Sequence, residues 1–447
     1  METFLELLAQ VNGFVWGLPT MVLLMGSGVV LTIATGGVQF RRLGYTFRLV
    51  FGRIAGKAEA EGTVTSFQAL ATALASTVGV GNIAGVATAI SIGGPGALFW
   101  LLVSGLVGMA TKFAEIAIAL EYREPDAKGI MRGGAMYTLS KGLGLGWLGA
   151  IFAALTSLAA FGIGNMTQAN SVAAAADESF GISPMLTGAV LAGVTAVVIL
   201  GGIKRIVEVT QVLIPAMCGI YLFGALVIVL RFADRIPEAM SLVLSGAFEG
   251  SAAVGGFAGA TVGAAVRYGI ARGLFSNEAG LGSAPLVHAS AVTSHPVRQA
   301  CYGIFEVFVD TVVVCLLTGL VLLTTGVWSS GATGAAMSAQ AFEIGLPGGW
   351  GGLVVSIGLI LFAFSTIVGW AFYGETAVTY LFGAGAAMPY RLIWVGVVFL
   401  GAVSELKVVW DISDTLNGLM AVPNLVAVLG SLALLRKLNR EYFAKNA

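Results

Sequence analysis

One apolar stretch of the 447-residue chain is interrupted by glycines, at a point where backbone atoms could bind a ligand. The stretch covers residues 64–92, and two glycines in Val78-Gly79-Val80-Gly81-Asn82 permit the conformations of an unwound helix. A half-helix ending near Ala75 to Val78 leaves free carbonyls, which suit a cation. A half-helix beginning near Val80 to Ile83 offers free amides, which suit a carboxylate. The sequence therefore predicts a site for a zwitterion together with a cation.

A second glycine-interrupted stretch, residues 252–291, carries a related motif. Asn277 heads the octet N-E-A-G-L-G-S-A as Asn82 heads N-I-A-G-V-A-T-A, although asparagine is rare in the chain. Weak internal symmetry of this kind is typical of transporter repeats. The second break is expected at Gly273-Leu274-Phe275-Ser276-Asn277-Glu278. There, Ser276 and Asn277 would either cap the next half-helix, with Glu278 in its first turn, or contact the ligand.

Composition indicates which elements must position these residues. The chain is 57% apolar and 10% charged, whereas a soluble domain carries about 25% charged residues. A bilayer core needs roughly 20 apolar residues per helix, and the apolar runs are too long for the strands of a β-barrel. An all-α membrane protein with eleven transmembrane helices is predicted, at 14–36, 64–92, 95–121, 146–174, 184–203, 207–231, 252–291, 299–327, 349–380, 388–404 and 411–435.

The distribution of charge predicts the orientation of these spans. The 23 basic and 23 acidic residues cancel, which leaves no electrostatic argument for nucleic-acid binding. Loops on one side and the C-terminus hold 17 basic residues, against three on the other side, so the N-terminus is expected outside and the C-terminus in the cytoplasm. Spans 2 and 7 then cross in opposite directions. The predicted units are an N-terminal extra helix with a basic loop (1–60) and two inverted five-helix repeats (61–235 and 236–447).

Span 4 contributes polar side chains within an otherwise apolar helix. Gln168 is selected as a substrate contact, although spacing alone does not separate it from Asn165. The polar residues of this span are Asn165, Thr167, Gln168 and Asn170, and one or more of them could instead join neighbouring helices.

Charged residues inside other spans need partners. Lys112 and Glu115 lie three residues apart on span 3 and are interpreted as a snorkelling pair near the cytoplasmic end. Glu306 and Asp310 on span 8 are expected to form an ion-pair network with the arginines of span 7, Arg267 and Arg272. Their functional alternative is a gate or a proton-linked carboxylate.

Residue types that support other chemistry are scarce. The three cysteines lie scattered in apolar runs and the two histidines lack zinc-binding spacing, so neither a disulfide framework nor a metalloenzyme is predicted. The sequence offers no nucleophile with a base, and no phosphate-binding loop for ATP-driven transport. Neither an enzyme nor a cofactor is expected.

Several motifs follow one another in a recognisable order: Thr77 to Ala89, Gly93 to Ala97, Arg132 to Tyr137, Gly273 to Pro285 and His295 to Gln299. With them the chain resembles, over essentially its whole length, the alanine or glycine:cation symporter family. The Val78 to Asn82 stretch also resembles the first-helix break of LeuT-type sodium-coupled amino-acid transporters. The resemblance implies a LeuT-like 5+5 inverted repeat, with a broken first helix in each repeat and one extra N-terminal helix.

The resemblance also implies roles for individual residues. Amides of Val80 and Gly81 would hold the substrate carboxylate. Sodium would bind carbonyls of span 2 and adjacent hydroxyls of span 9, which are Ala75, Val78, Ser365 and Thr366. A second sodium site is left open. Trp370, one turn beyond Thr366, would wall the pocket and restrict it to small side chains. The full predicted substrate site is Thr77, Val80, Gly81, Asn82, Gln168, Gly273, Phe275, Ser276, Asn277 and Trp370.

The expected function is secondary transport by alternating access in the inner membrane of a prokaryote, with sodium driving symport of alanine or glycine. The expected partners are the small-molecule substrate, the sodium ion and membrane lipid, without an obligate protein partner. Proton-coupled symport through Glu306 or Asp310 is one alternative, and an ion channel is an alternative of a different class.

Overall fold

The computed structural model describes residues 10–52, 61–249, 261–404 and 407–445, and the chain there is built almost entirely of helices. Long apolar sequence folds this way in a bilayer because a helix pairs its own backbone polar groups. The first half contains α1 (Leu18–Ala34), α2 (Val38–Arg41), α3 (Leu43–Phe51), β1 (Val64–Thr65), α4 (Ser66–Thr77), α5 (Gly81–Gly93), α6 (Gly96–Glu121), β2 (Glu124–Pro125), β3 (Met131–Arg132), α7 (Ala135–Tyr137), α8 (Gly146–Phe180), α9 (Pro184–Ile199) and α10 (Gly202–Arg231).

The second half repeats the pattern of long helices separated by short connections. It contains α11 (Ile236–Phe248), α12 (Val262–Asn277), α13 (Pro285–His288), β4 (Ala291–Val292), α14 (Pro296–Thr325), α15 (Gly334–Gly345), α16 (Trp350–Phe382), α17 (Ala387–Val403), α18 (Lys407–Gly430) and α19 (Leu432–Lys445). Short 3₁₀ turns (Ala233–Arg235, Val327–Ser329, Ala384–Ala386) join some of these helices.

The predicted count of eleven spans is not confirmed. Within the described ranges, eight helices are long and apolar enough to cross a membrane, or nine if the bent pair α4 and α5 forms one span. Predicted span 5 corresponds to α9, which has only 16 residues, and predicted span 7 corresponds to α12, also 16 residues, followed by a non-helical stretch. Two helices, α11 and α15, occupy segments between the predicted spans, where the sequence predicts loops.

The two glycine-interrupted segments run in opposite directions. Strand β1, directly before α4, pairs in parallel with β4, which follows α12, so the start of one segment lies beside the end of the other. At the far end, Gly93 of α5 packs against the backbone of Ala264 and Ala265 at the start of α12. This antiparallel arrangement is what an inverted repeat requires.

Local chemistry determines where the first segment begins and breaks. Thr65 and Gln68 form a capping box: the Thr65 hydroxyl accepts from the Gln68 N–H at 3.2 Å, and Gln68 Oε1 accepts from the Thr65 N–H at 3.0 Å. Helix α4 ends at Thr77 because Val78 adopts an extended conformation, with ψ of 94°. The axes of α4 and α5 differ in direction by 52°.

The described residues include four π-helical turns, in which the backbone widens locally. One, Thr138–Gly142, directly follows α7. The others are Gly81–Gly85 at the start of α5, Gly162–Met166 within α8 and Phe308–Cys315 within α14. Such turns are frequent at functional sites because they redirect side chains and free backbone groups. The last three adjoin the region between α4 and α5.

The outer surface of the helices is apolar, as a lipid-facing surface requires. Phe14, Leu18, Ile33, Val197 and Phe223 are each about 70% exposed. Inside the bundle, large side chains such as those of Trp370, Trp394 and Tyr221 are fully buried. The protein is therefore a multi-pass membrane protein with a packed interior.

Candidate functional site

The break between α4 and α5 is fixed by a local hydrogen bond and lies against α16. Asn82 Oδ1 accepts from the N–H of Gly79 at 2.9 Å and so closes the turn. A Cβ atom on Gly79 would lie only 2.8 Å from Thr366 Oγ1, so glycine is required here for space. The N–H of Asn82 donates to the carbonyl of Gly79 at 3.2 Å, while the other N–H groups in the first turn of α5 lack acceptors within the helix and so suit an anion.

A small cavity lies at this break. It measures about 20 Å³, which is room for about one water molecule. Most of the residues predicted to bind substrate line it: Thr77, Val80, Gly81, Gln168, Phe275, Ser276 and Trp370. Thr366 also lines it, together with Ser76, Gly79, Ile163 and Glu278, which the sequence did not place in the site.

Gln168 presents an unpaired acceptor to this cavity. Its Nε2 donates to the carbonyl of Ile163 at 3.0 Å, which fixes the orientation of the amide. Its Oε1 is buried, faces Gly79 and has no hydrogen-bond partner among the residues that the structure describes. A buried acceptor left unpaired costs about 1–3 kcal/mol, so a donor on a ligand would relieve that cost.

The other polar residues of α8 join helices instead. Asn165 Nδ2 donates to the carbonyl of Trp394 and Asn170 Nδ2 to the carbonyl of Ser404, each at 3.0 Å. The Thr167 hydroxyl bonds back to the carbonyl of Ile163 at 2.9 Å. None of these three side chains lines the cavity. The geometry therefore separates Gln168 from Asn165, as spacing alone did not.

The four residues predicted to hold sodium lie together on α4 and α16. The Ser365 hydroxyl donates to the carbonyl of Ala75 at 3.1 Å, and the Thr366 hydroxyl donates to the carbonyl of Phe362 at 3.0 Å. Val78, fully buried, directs its carbonyl from an extended backbone rather than a helix. Uncharged carbonyl and hydroxyl oxygens are ligands that hard cations accept.

Trp370 and Glu278 form one wall of the cavity. Trp370 Nε1 donates to Glu278 Oε1 at 3.1 Å, and the Ser283 hydroxyl donates to the other carboxylate oxygen. Gly164 of α8 lies against the Cβ of Trp370, where any side chain would collide. The indole is therefore fixed by a hydrogen bond on one side and by backbone packing on the other.

The second break lies later in the chain than the sequence predicted. Helix α12 continues to Asn277, and the helix ends because Glu278 adopts a left-handed conformation with φ of 56°. Asn277 Oδ1 accepts from the N–H of Ala279 at 3.0 Å. The expectation that Ser276 and Asn277 cap a following half-helix with Glu278 in its first turn is wrong, since all three stand at the end of the preceding helix.

Three predicted substrate residues lie outside the cavity lining. Gly273 is interior to α12 and packs on α6, where a side chain would collide with Ser104. Asn277 is fully buried, and its Nδ2 donates to Thr311 Oγ1 at 3.2 Å. Asn82 is also fully buried and contacts α14.

Asp310 lies directly behind the break, in the π-helical turn of α14. Its Oδ1 accepts from Asn82 Nδ2 at 2.7 Å and from Ser276 Oγ at 3.1 Å, while Oδ2 accepts from Thr311 Oγ1 at 2.9 Å. It forms no ion pair among the described residues. A buried carboxylate with only neutral partners can hold a cation or a proton. The sequence identifies Asp310 as a candidate for a gate or a proton-linked carboxylate, but it does not predict these contacts.

The predicted partners of the other intramembrane charges are wrong. Lys112 does not snorkel but is fully buried, with Nζ 3.2 Å from Glu306 Oε1, and His288 Nε2 lies 3.1 Å from Glu306 Oε2. Glu115 instead accepts from the N–H groups of Gly280 and Gly282 and from the amide of Asn424. Arg267 and Arg272 lie in a separate surface cleft. These charged residues thus bind the segment that follows α12: Glu115 binds the backbone of Gly280 and Gly282, and Glu306 binds His288.

A second ionic cluster lies in the loop between α6 and α7. Arg132 binds Asp126 at 3.1 Å and Glu375 of α16 at 2.8 Å. Burial opposes ionisation of Asp126, but two backbone N–H groups of the loop, Ile130 among them, and the Arg132 guanidinium outweigh it and lower the pKa of this carboxyl. The loop is therefore tied to the end of α16.

Comparison with known proteins agrees with this architecture. The sodium:alanine symporter family model matches residues 1–447. The chain is 49% identical to the sodium/alanine symporter AgcS of Methanococcus maripaludis, over 95% of this chain and 94% of the relative. It is 37% identical to the amino-acid carrier protein AlsT of Bacillus subtilis, over 96% and 90% respectively.

Among solved structures, a manganese transporter of Eremococcus coleocola covers 85% of this chain and 82% of its own, with a TM-score of 0.52 and 14% identity. At that identity the match shows the fold alone, which is LeuT-like. The relatives are transporters and not enzymes. On its whole length the chain belongs to the sodium:alanine symporter family and is a cation-coupled amino-acid symporter.

Proposed function

We propose that the protein couples the uptake of a small neutral amino acid, alanine or glycine, to sodium by alternating access. One observation carries the proposal: the break between α4 and α5 brings the first amides of a helix and the unpaired Gln168 Oε1 to one small cavity. An amino acid offers the matching pair of groups, a carboxylate acceptor and an ammonium donor.

The proposed binding mode follows from these groups. The substrate carboxylate binds the amides of Val80 and Gly81 at the start of α5, where the helix dipole is positive. The ammonium group donates to Gln168 Oε1. Phe275 and Trp370 line the same cavity, so their rings would restrict the substrate side chain to a hydrogen or a methyl group.

Sodium is proposed to bind at the end of α4. The carbonyl of Ala75 and the hydroxyl of Ser365 already lie 3.1 Å apart, and the cation would take the place of the hydrogen bond between them. The Ser365 hydroxyl would keep its hydrogen and donate it to the carbonyl of Phe362, which lies 2.8 Å away. The carbonyl of Val78 and the hydroxyl of Thr366 complete the proposed ligand set. Because Thr366 Oγ1 also touches Gly79, an ion here fixes the break that the substrate binds.

In the proposed coupling mechanism, sodium and substrate shift the population of the protein between a conformation open to the outside and a conformation open to the cytoplasm. The cavity of about 20 Å³ is too small for alanine without movement, so α5 and α12 are proposed to separate from α8 and α16 to admit it. The charge distribution supports a cytoplasmic C-terminus and an outside N-terminus. A multi-pass protein of this composition is proposed to reside in the inner membrane of a prokaryote.

Proton coupling remains the second candidate because of Asp310. This carboxylate is buried among neutral donors and accepts hydrogen bonds from both Asn82 and Ser276. A proton or a second cation at Asp310 would therefore alter hydrogen bonds at both breaks. Glu306 is a weaker choice because Lys112 already compensates its charge. Membership of a symporter family supports neither channel activity nor catalysis.

The decisive experiment is binding of alanine to purified protein with and without sodium. Sodium should raise alanine affinity, and alanine must raise sodium affinity by the same factor, because coupling free energies are reciprocal. Equal alanine affinity with and without sodium would contradict the proposed role of sodium. Uptake driven by a pH jump in sodium-free proteoliposomes would instead favour proton coupling.

A further inference from the structure

A basic pocket lies where the end of α1 meets the C-terminal helix α19. It has a volume of about 690 Å³, within the roughly 300–1,000 Å³ of ordinary ligand sites. Four arginines line it, two from α2 and its end and two from α19, and no acidic residue lines it. These arginines are Arg41, Arg42, Arg436 and Arg440.

The four guanidinium groups lack compensation within the described ranges. None forms an ion pair there, whereas Arg132, Arg205 and Arg391 each bind a carboxylate. Converging like charges repel one another, so the pocket favours an anion. The Arg42 guanidinium lies 4.4 Å from the ring centre of Phe443, a stacking that orients its donors.

The position of the pocket identifies the kind of anion. The last turn of α1 lines it, and Ile33 in that turn is 73% exposed. Phe40, in the connection between α1 and α3, is 60% exposed. Because apolar side chains face outward beside the arginines, the pocket lies at the edge of the hydrocarbon core, at the depth of lipid phosphates.

We propose that this pocket binds the phosphate headgroup of an anionic phospholipid. Arginine presents paired donors that match phosphate oxygens, and basic pockets between helices near the membrane surface suit such headgroups. The acyl chains would lie along the exposed face of α1. The lipid would then hold α19 on the bundle, adding to the contact of Asn439 Nδ2 with the carbonyl of Thr35 at 3.2 Å.

The test is a lipid titration of the detergent-purified full-length protein, with bound lipid counted by native mass spectrometry and stability followed by thermal unfolding. The probes are dioleoylphosphatidylglycerol, dioleoylphosphatidylcholine and inorganic phosphate. The test variant is Arg436→Gln with Arg440→Gln, both exposed on α19. The matched control is Lys204→Gln with Arg205→Gln, which removes the same charge from exposed residues outside the pocket.

Phosphatidylglycerol should bind the wild type and the control alike, and should bind the test variant about 30-fold more weakly, from the worth of two basic residues near a membrane surface. Arg41→Gln alone should weaken binding about fivefold, which gives a second readout if the double variant misfolds. Equal weakening in the control, equal binding of phosphatidylcholine, or equal stabilisation by inorganic phosphate would each overturn the proposal.

Discussion

Replacing Gln168 with methionine should weaken alanine binding without unfolding the protein. The substitution keeps the length of the side chain but removes Oε1, the buried acceptor that faces Gly79. A hydrogen bond to a charged group is worth about 1.5–3 kcal/mol, so the dissociation constant for alanine should rise about 10- to 150-fold.

The ligand-free protein should lose little stability. Gln168→Met removes the Nε2 hydrogen bond to the carbonyl of Ile163, and it also removes the unpaired Oε1, so a loss and a gain of similar size nearly cancel. The melting temperature without substrate should therefore change by only a few degrees, while the stabilisation that alanine provides to the wild type should be lost.

Asn165 offers a matched control on the same helix. Its Nδ2 also donates to a carbonyl at 3.0 Å and its Oδ1 is also without a partner among the described residues, but it does not line the cavity. Calorimetric titration with alanine at saturating sodium measures both variants. The reasoning is refuted if Asn165→Leu weakens alanine binding as much as Gln168→Met, or if Gln168→Met binds alanine like the wild type.

Two further substitutions test other parts of the site, and a third tests the ionic cluster of the loop between α6 and α7. Thr366→Ala should raise the sodium concentration needed for half-maximal uptake before it alters the preference among amino acids, and the opposite order would contradict the proposed sodium site. Trp370→Phe removes the donor to Glu278 and opens the wall, so larger neutral amino acids should compete with alanine about tenfold better in uptake assays; an unchanged competition panel would argue against a wall at Trp370. Asp126→Asn should lower the melting temperature by a constant amount from pH 5 to 8. A carboxyl whose pKa is lowered by folding stabilises the fold at every pH above its unfolded pKa of about 3.9, and this stabilisation is lost only as the pH falls through the folded pKa. A melting-temperature difference that shrinks between pH 5 and 8 would contradict this prediction.

Features encoded locally could be predicted from the sequence. Two glycines and an asparagine within five residues predict the break at Val78 to Asn82, and the structure has an extended residue there. The adjacency of Ser365 to Ala75 followed from family resemblance, not from spacing, because the two residues are 290 positions apart. The choice of Gln168 over Asn165 needed the packing of α17, since both face the interior of the bundle.

Charge partners could not be predicted because spacing reports only neighbours on the same helix. Lys112 and Glu115 share a face of α6, yet a lysine buried in a bilayer needs a carboxylate in contact, and Glu306 on α14 provides it. The position of the second break also depends on tertiary contacts. Glu278 leaves the helix where Ser283 and Trp370 bind its carboxylate, although glutamate is an ordinary helix former.

The pairing of β1 with β4 has a consequence for biosynthesis. Val64 and Ala291, which face each other in this pair, are separated by about 230 residues, so at roughly 5–20 residues per second the first strand leaves the ribosome on the order of 10–45 s before its partner. Until Ala289 and Ala291 are translated, the Arg123 guanidinium lacks the two carbonyls that it binds in the finished protein. The segment from β1 to Arg123 is therefore incomplete until translation of the later half of the chain supplies the strand that closes it.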